Sequence, residues 1–207
     1  MRIDVVENPL AMPQRNDTRF RLVLFADATL EVTAYDISGA SLEFALDAAR
    51  QLSRHDEVMW ALAVVDQESA VEPALLWISG SDYSQTPKTP NQWRHRRDMQ
   101  DRYLMAKSRR RLPLLLPDGR RSIRMFAEWG RLWGLWESFS ESYVLDPSSL
   151  GLSAELGDEL YAWNDAFNDR EVDDPLPSSW RDEGLALYDR LQRELAGVAE
   201  VRPEFLL

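Results

Sequence analysis

Regular hydrophobic patterning begins at residue 19. RFRLVLFADATLEVTAY, residues 19–35, holds two β-prone runs around Asp27-Ala28, which fits a hairpin or one bent strand. The period then lengthens in SGASLEFALDAARQLSRHDE: Leu42, Ala45, Leu46, Ala49 and Leu52 recur on one helical face behind Ser41, a side chain suited to an N-cap. EVMWALAVVDQ (57–67) and PALLWISGSDY (73–83) are nearly continuous apolar runs separated by the polar QESAVE. They predict a strand pair that is central in a sheet or covered on both faces, with Trp60 and Trp77 inside. SQTPKTPN follows as a loop, with Thr89 or Asn91 positioned to cap the next helix.

NQWRHRRDMQDRYLMAKSRRR carries a narrow apolar stripe of Met99, Tyr103 and Ala106 and arginines around the rest, so one face of this helix is left for solvent or a partner. LPLLL, Pro117-Asp118-Gly119 and RRSIRMF predict a hairpin over 112–126, because Asp-Gly tolerates positive φ between β-prone runs. EWGRLWGLWESF poses a sharper choice. Trp129, Trp133 and Trp136 follow Phe126 at helical steps, extended by Phe139 and Tyr143, and a helix would align the rings on one face. Gly130 and Gly134 oppose that by ~1 kcal/mol each relative to alanine, and an extended course would split the rings between two faces. A core role is favoured over an aromatic ligand groove.

Beyond this point the pattern is helical. LSAELGDELYAWNDAFND places Leu156, Leu160, Trp163 and Phe167 on one face behind a Ser153 cap. SSWRDEGLALYDRLQRELAG repeats the plan, with Ser179 and Asp182 as a capping-box variant and Gly197 as a stop. VAEVRP adds a short edge strand. The predicted fold class is α+β: an antiparallel sheet of five or six strands within 19–126, packed by helices, then a C-terminal helical pair. One domain is expected over 1–207, with 1–18 a flexible N-terminal segment, 19–126 the α+β core and 127–207 mainly helical.

Charge changes this picture more than composition does. The 207 residues carry a net charge of −11 and no cysteine, which removes disulfides and thiolate chemistry. Lys88 to Arg124 contains 12 basic residues against 3 acidic ones, whereas Glu137 to Leu207 contains 17 acidic against 5 basic. The basic stretch includes Arg94, Arg96, Arg97, Arg102, Arg109, Arg110 and Arg111, with Trp93 and Tyr103 available to stack on bases. It is either an exposed patch or a belt that pairs internally with the acids at 155–174. The overall acidity disfavours nucleic acid as a partner. No signal-like or membrane-spanning apolar run occurs, so a cytoplasmic location is expected.

Catalytic marks are sparse. The two histidines, His55 and His95, are not at metal-ligand spacing, and neither a dinucleotide, Walker nor nucleophile-elbow motif occurs. Asp36, Asp66 and Asp82 stand at strand ends, where turn residues look the same, and Ser79-Gly80-Ser81-Asp82 is a weak phosphate-nest candidate. No metal, cofactor or catalytic residue is therefore assigned. An enzyme would need His55 or His95 beside a carboxylate in a pocket.

The segments LWESFSESYVLDPSSLGLSAELGDELYAWNDAFND and SSWRDEGLALYDRLQRELAGVAEVRP resemble the C-terminal part of small actinobacterial proteins, some of which are similar to immunity proteins for secreted polymorphic toxins. The resemblance implies a non-catalytic binder whose partner is a protein, such as a basic toxin. Charge makes Asp158, Glu159, Asp165, Asp169, Asp173 and Asp174 the candidate partner-binding residues. An arginine-rich nucleic-acid binder and a His/carboxylate enzyme are the alternatives. Oligomeric state is left open.

Overall fold

The structure, a computed structural model, describes residues 17–26, 31–66, 73–171 and 173–207. The turn at Asp27-Ala28, the connection at 67–72 and residues 1–16 of the expected flexible segment lie outside the described residues.

β1 (Arg19–Phe25) pairs antiparallel with β2 (Val32–Ser38), which makes the first two runs a hairpin. α1 (Leu42–Leu52) starts at Ser41, whose hydroxyl accepts the Phe44 N–H at 3.2 Å. β3 (Met59–Asp66) pairs with β1, and β4 (Ala74–Ser79) pairs with β3, giving a four-stranded antiparallel sheet in the order β2-β1-β3-β4. β3 is central and almost wholly buried. β4 is an edge strand that alternates between half-buried and exposed, so the expectation of equal burial for the two strands holds for only one of them.

α1 covers one sheet face by setting Ala45 and Ala49 on Phe20, Leu22, Trp60 and Leu62. α2 (Pro90–Arg109) covers the other with Met99, Tyr103 and Leu104 on Val23, Phe25, Met59 and Ala61. Thr89 caps α2 in a reciprocal capping box with Gln92.

The hairpin expected over 112–126 is replaced by a tight turn with a strand on one side only. Leu116 N–H donates to the Arg120 carbonyl at 2.8 Å and Gly119 turns at φ +82°, but 112–115 form no strand. Pro113 and Pro117 lack the N–H groups a ladder requires. β5 (Arg121–Met125) instead enters a second, three-stranded sheet between β6 (Leu135–Trp136), antiparallel to it, and β7 (Ala199–Pro203), parallel to it. The expected sheet of five or six strands is thus two smaller ones, because β5 finds partners downstream of itself. β7 is an edge in topology yet entirely buried.

The tryptophan segment is not a helix. Gly130 sits at φ +70°, and a Cβ on Gly134 would lie 2.6 Å from the Phe126 carbonyl oxygen, so the chain passes too close to β5 for any other residue. The rings divide accordingly. Trp136 is fully buried, stacked on Phe126 with 4.9 Å between ring centres and donating to the Phe126 carbonyl at 2.9 Å. Trp133 is half-buried against the C-terminal core, and Trp129 is 41% exposed.

α3 (Ala154–Asn168) and α4 (Trp180–Glu194) form the C-terminal pair. Leu156, Leu160 and Trp163 of α3 meet Leu187 and Leu191 of α4 and Ile123, Met125 and Val201 of the second sheet. Ser153 caps α3, but Ser179 makes no side-chain cap bond because its backbone is already helical in φ and ψ.

Candidate functional site

α3 and α4 run antiparallel, locked at both ends. At one end Glu194 accepts the Ser153 N–H and hydroxyl, each at 2.8 Å, and these bonds hold its carboxyl below the usual carboxylate range. At the other, Trp163 and Trp180 stack with ring centres 4.4 Å apart, and each indole N–H donates to the other's carbonyl at 3.0 Å. Gly184 allows this, since a Cβ there would lie 2.9 Å from Phe205 and 3.1 Å from Trp163. Asn164, fully buried, and Asn168 both donate to the Arg131 carbonyl, at 2.7 and 2.9 Å, and so tie the tryptophan loop to α3.

With the apolar stripe turned inward, the acids of α3 face out. Asp158, Asp165 and Asp169 project within about 40° of one another at roughly 100° per residue. Asp158 and Asp169 are exposed and Asp165 is half-buried. Asp173 and Asp174 continue the acidic run into the following loop, where Asp174 accepts the Glu171 N–H. Among the described residues none of Asp158, Asp165, Asp169 or Asp173 forms an ion pair. Glu159 sits on the flank of α3 and pairs with Arg190 of α4.

Of the arginines of the central stretch Arg96 is buried, Arg97, Arg102, Arg120, Arg121 and Arg124 are half-buried, and Arg94, Arg109, Arg110 and Arg111 are exposed. Arg96, 3% exposed, donates to the carbonyls of Tyr83 and Gln85, lies over the Tyr83 ring, and has its Nε 3.3 Å from Glu200. Glu200 also accepts from Gln100 at 2.7 Å and from Arg120 at 3.2 Å. Arg120 in turn pairs with Asp118, which accepts the Tyr83 hydroxyl at 3.0 Å. Burial pushes the Tyr83 phenol far above its ordinary range, and the charges of Glu200 and Asp118 push it further. Arg202, 1% exposed, joins this group through Asp101 at 2.7 Å and Glu204 at 3.0 Å. Arg121 and Arg124 pair with Glu137 and Glu204.

The rest of the belt is distributed as follows. Arg102 stacks on Trp60 and donates to Ser79 and to the Trp60 carbonyl, and burial pulls its guanidinium pKa down despite the neighbouring Asp56. Arg110 pairs with Glu57, Arg97 with its neighbour Asp98, Arg94 donates to the Leu207 carbonyl, and Arg109 reaches Met105. Arg111 is exposed at φ +56°. Among the described residues, none of the ion pairs of the arginines from Arg94 to Arg124 goes to an acid between 155 and 174. Those partners come from 56–57, 98, 118, 137, 200 and 204, several of which reach the belt only through β7, and sequence distance concealed them.

His55 lines a cavity of about 260 Å³ with Asp56, Glu57, Arg102 and Arg109. It follows Arg54 and precedes Asp56 in a run of three left-handed residues. Both adjacent carboxylates are engaged: Asp56 accepts the Trp60 indole N–H at 2.6 Å and Glu57 pairs with Arg110. Among the described residues, no Ser, Thr, Tyr or Lys lines the cavity. His95 is half-buried on α2. Ser79 of the SGSD turn is taken by Arg102, while Asp82 bonds Ser84. Asp36 pairs with Arg21 at 2.7 Å. Among the described residues no group of three or more His, Asp or Glu gathers to hold a metal ion, and no helix is long and apolar enough to cross a membrane.

A family model described as Serratia CdiI immunity protein-like matches residues 121–202, which is less than half of the chain. The matched span runs from the start of β5 into β7 and contains both α3 and α4. Comparisons with curated proteins and with solved structures gave no match.

Proposed function

We propose that this chain is an immunity protein that acts in the cytoplasm by binding and neutralising a basic toxin through the outer face of α3. The observation that carries this reading is the absence of counter-charge there. The ion pairs that the arginine belt makes go to other acids, while Asp158, Asp165 and Asp169 have no ion-pair partner among the described residues. An uncompensated negative surface on a small protein attracts a cationic partner over several ångströms, raises its encounter rate and disfavours partners of like charge.

Helix electrostatics supports the same reading. Asp165 and Asp169 occupy the C-terminal end of α3, and its last turn holds no basic residue. The partial negative charge of a helix C-terminus makes this placement unfavourable by ~0.3–1 kcal/mol per carboxylate. Acids kept at that end are better explained by binding than by stability. The family match over the same helices is in keeping with a protein that binds a toxin.

The test is to search the genes on either side of this one for a toxin-like domain and to titrate the chain with it. Asp158→Lys, Asp165→Lys and Asp169→Lys together should lower the association rate at least about tenfold and make it insensitive to salt, with the circular dichroism spectrum unchanged. An unchanged rate would remove the α3 face from consideration. A salt-sensitive complex of the unaltered chain with RNA or DNA would favour the arginine-rich alternative instead.

A further inference from the structure

The flanks of α3 and α4 enclose a groove of about 400 Å³ beside the acidic face. Its floor is apolar, formed by Ala162 of α3, Ala186 and Leu187 of α4, and the edge of Trp163. Its two ends differ. At one, Glu159 is already neutralised by Arg190, which also lies 3.9 Å from Glu155 and whose pKa is raised by its bond to Glu159 and by the surrounding carboxylates. At the other, Glu183 is exposed and its carboxylate has no ion-pair or hydrogen-bond partner among the described residues.

The small side chains of Ala162 and Ala186 both line the groove, with the Glu183 carboxylate at one end. We propose that this groove seats one arginine or lysine side chain of the partner protein, its aliphatic stem on Ala162, Ala186 and Leu187 and its cationic head on Glu183. Long basic side chains bury their methylene stems on apolar surface while keeping the charge at a polar edge. A Glu end and an apolar floor match both parts of such a side chain. A wholly aliphatic occupant would bury Glu183 without compensation. Arg190 shows the arrangement within the molecule, with its head on Glu159 along the same groove. This inference rests on the proposed function, since it supplies the central anchor for a basic partner that the acids of α3 attract; well-packed arginines are frequent energetic centres of such interfaces.

The experiment uses the full chain and the peptide acetyl-Gly-Arg-Gly-amide, followed by NMR of the alanine methyl groups. The Ala162 and Ala186 signals should shift saturably. The citrulline peptide, equal in shape without the charge, should bind about tenfold more weakly, the weight of one charge-assisted contact. Glu183→Gln should erase that difference, and Ala186→Leu, a change at an exposed position, should fill the groove and abolish the shifts. Silent groove methyls, or equal binding of the two peptides, would overturn the proposal. Titration with the toxin-like domain separates the two claims. If Ala186→Leu binds as the parent does while the triple Lys variant does not, the groove fails and the α3 face stands. If both bind as the parent does, both fail.

Discussion

The two charged regions of this molecule handle ionic groups in opposite ways. Around α2 and β7, arginines and acids from distant parts of the chain are buried together: Arg96, Arg202 and Glu200 are each less than 5% exposed and cross-linked by Gln100, Asp101, Arg120 and Asp118. On the outer face of α3 Asp158 and Asp169 are exposed and Asp165 is half-buried, and none of the three forms an ion pair among the described residues. Buried pairs cost several kcal/mol of desolvation per ion and give back Coulomb energy and bonds only in a specific geometry, so they fix how two layers meet. Exposed like charges cost little to the fold and remain available to another molecule. The same two residue classes therefore act as internal connectors in one region and as an external surface in the other.

The largest effect expected from this contrast lies at Glu200, which links α2 to β7 and so joins the four-stranded sheet to the C-terminal layer. Glu200→Ala leaves the Arg96 guanidinium buried beside Tyr83 with its anion gone, and should destabilise the chain by about 3–5 kcal/mol in urea unfolding. Arg111→Ala, at an exposed position of the same belt, should change stability by less than ~0.5 kcal/mol. Equal effects at the two positions would mean that the buried group is not a connector. The same bond predicts that residues 121–207 expressed alone will not fold cooperatively, because Glu200 and Arg202 would lose Arg96, Gln100 and Asp101.

A smaller effect should appear on acidification. Burial raises the Asp118 carboxyl pKa, but bonds from Arg120, side chain and backbone, and from Tyr83 outweigh it and hold the group below the usual carboxylate range. With a folded value lower than the unfolded one, Asp118 contributes stability above the unfolded pKa of ~3.9, and that contribution is lost as pH falls through the folded value. Asp118→Asn should therefore lower stability near neutral pH and leave a shallower loss below ~pH 4 than the parent shows. Parallel pH curves for the two proteins would detach Asp118 from the buried group.

How much of this could be read in the sequence depended on range. Elements whose determinants are local were legible: the Ser41, Thr89 and Ser153 caps, the face of Leu156, Leu160 and Trp163, and the α+β class with its terminal helical pair all follow from neighbours within a few residues. What failed required partners far along the chain. LPLLL reads as a strand until its Pro113 and the Pro117 that follows it are weighed, and β5 pairs with β7 some eighty residues later. Helical spacing of Trp129, Trp133 and Trp136 gave way to two glycines, one at positive φ and one pressed against the Phe126 carbonyl. The candidate acids were visible from charge alone. That the arginines would pair elsewhere was not, since Glu137, Glu200 and Glu204 join the belt only in the folded chain.

The smallest predicted effect has the sign that best separates the two regions. Asp165→Asn with Asp169→Asn removes two negative charges from the C-terminal end of α3, where the helix dipole and the neighbouring acids disfavour them. The double variant should be more stable than the parent by ~0.6–2 kcal/mol, readable as a rise in thermal midpoint, and should bind the toxin-like domain more weakly. Stability gained as binding is lost is the mark of residues held for a partner against the interest of the fold. If neutralisation instead destabilised the chain, the two carboxylates would be serving the fold, as those around Glu200 do, and the contrast between the regions would reduce to one of burial.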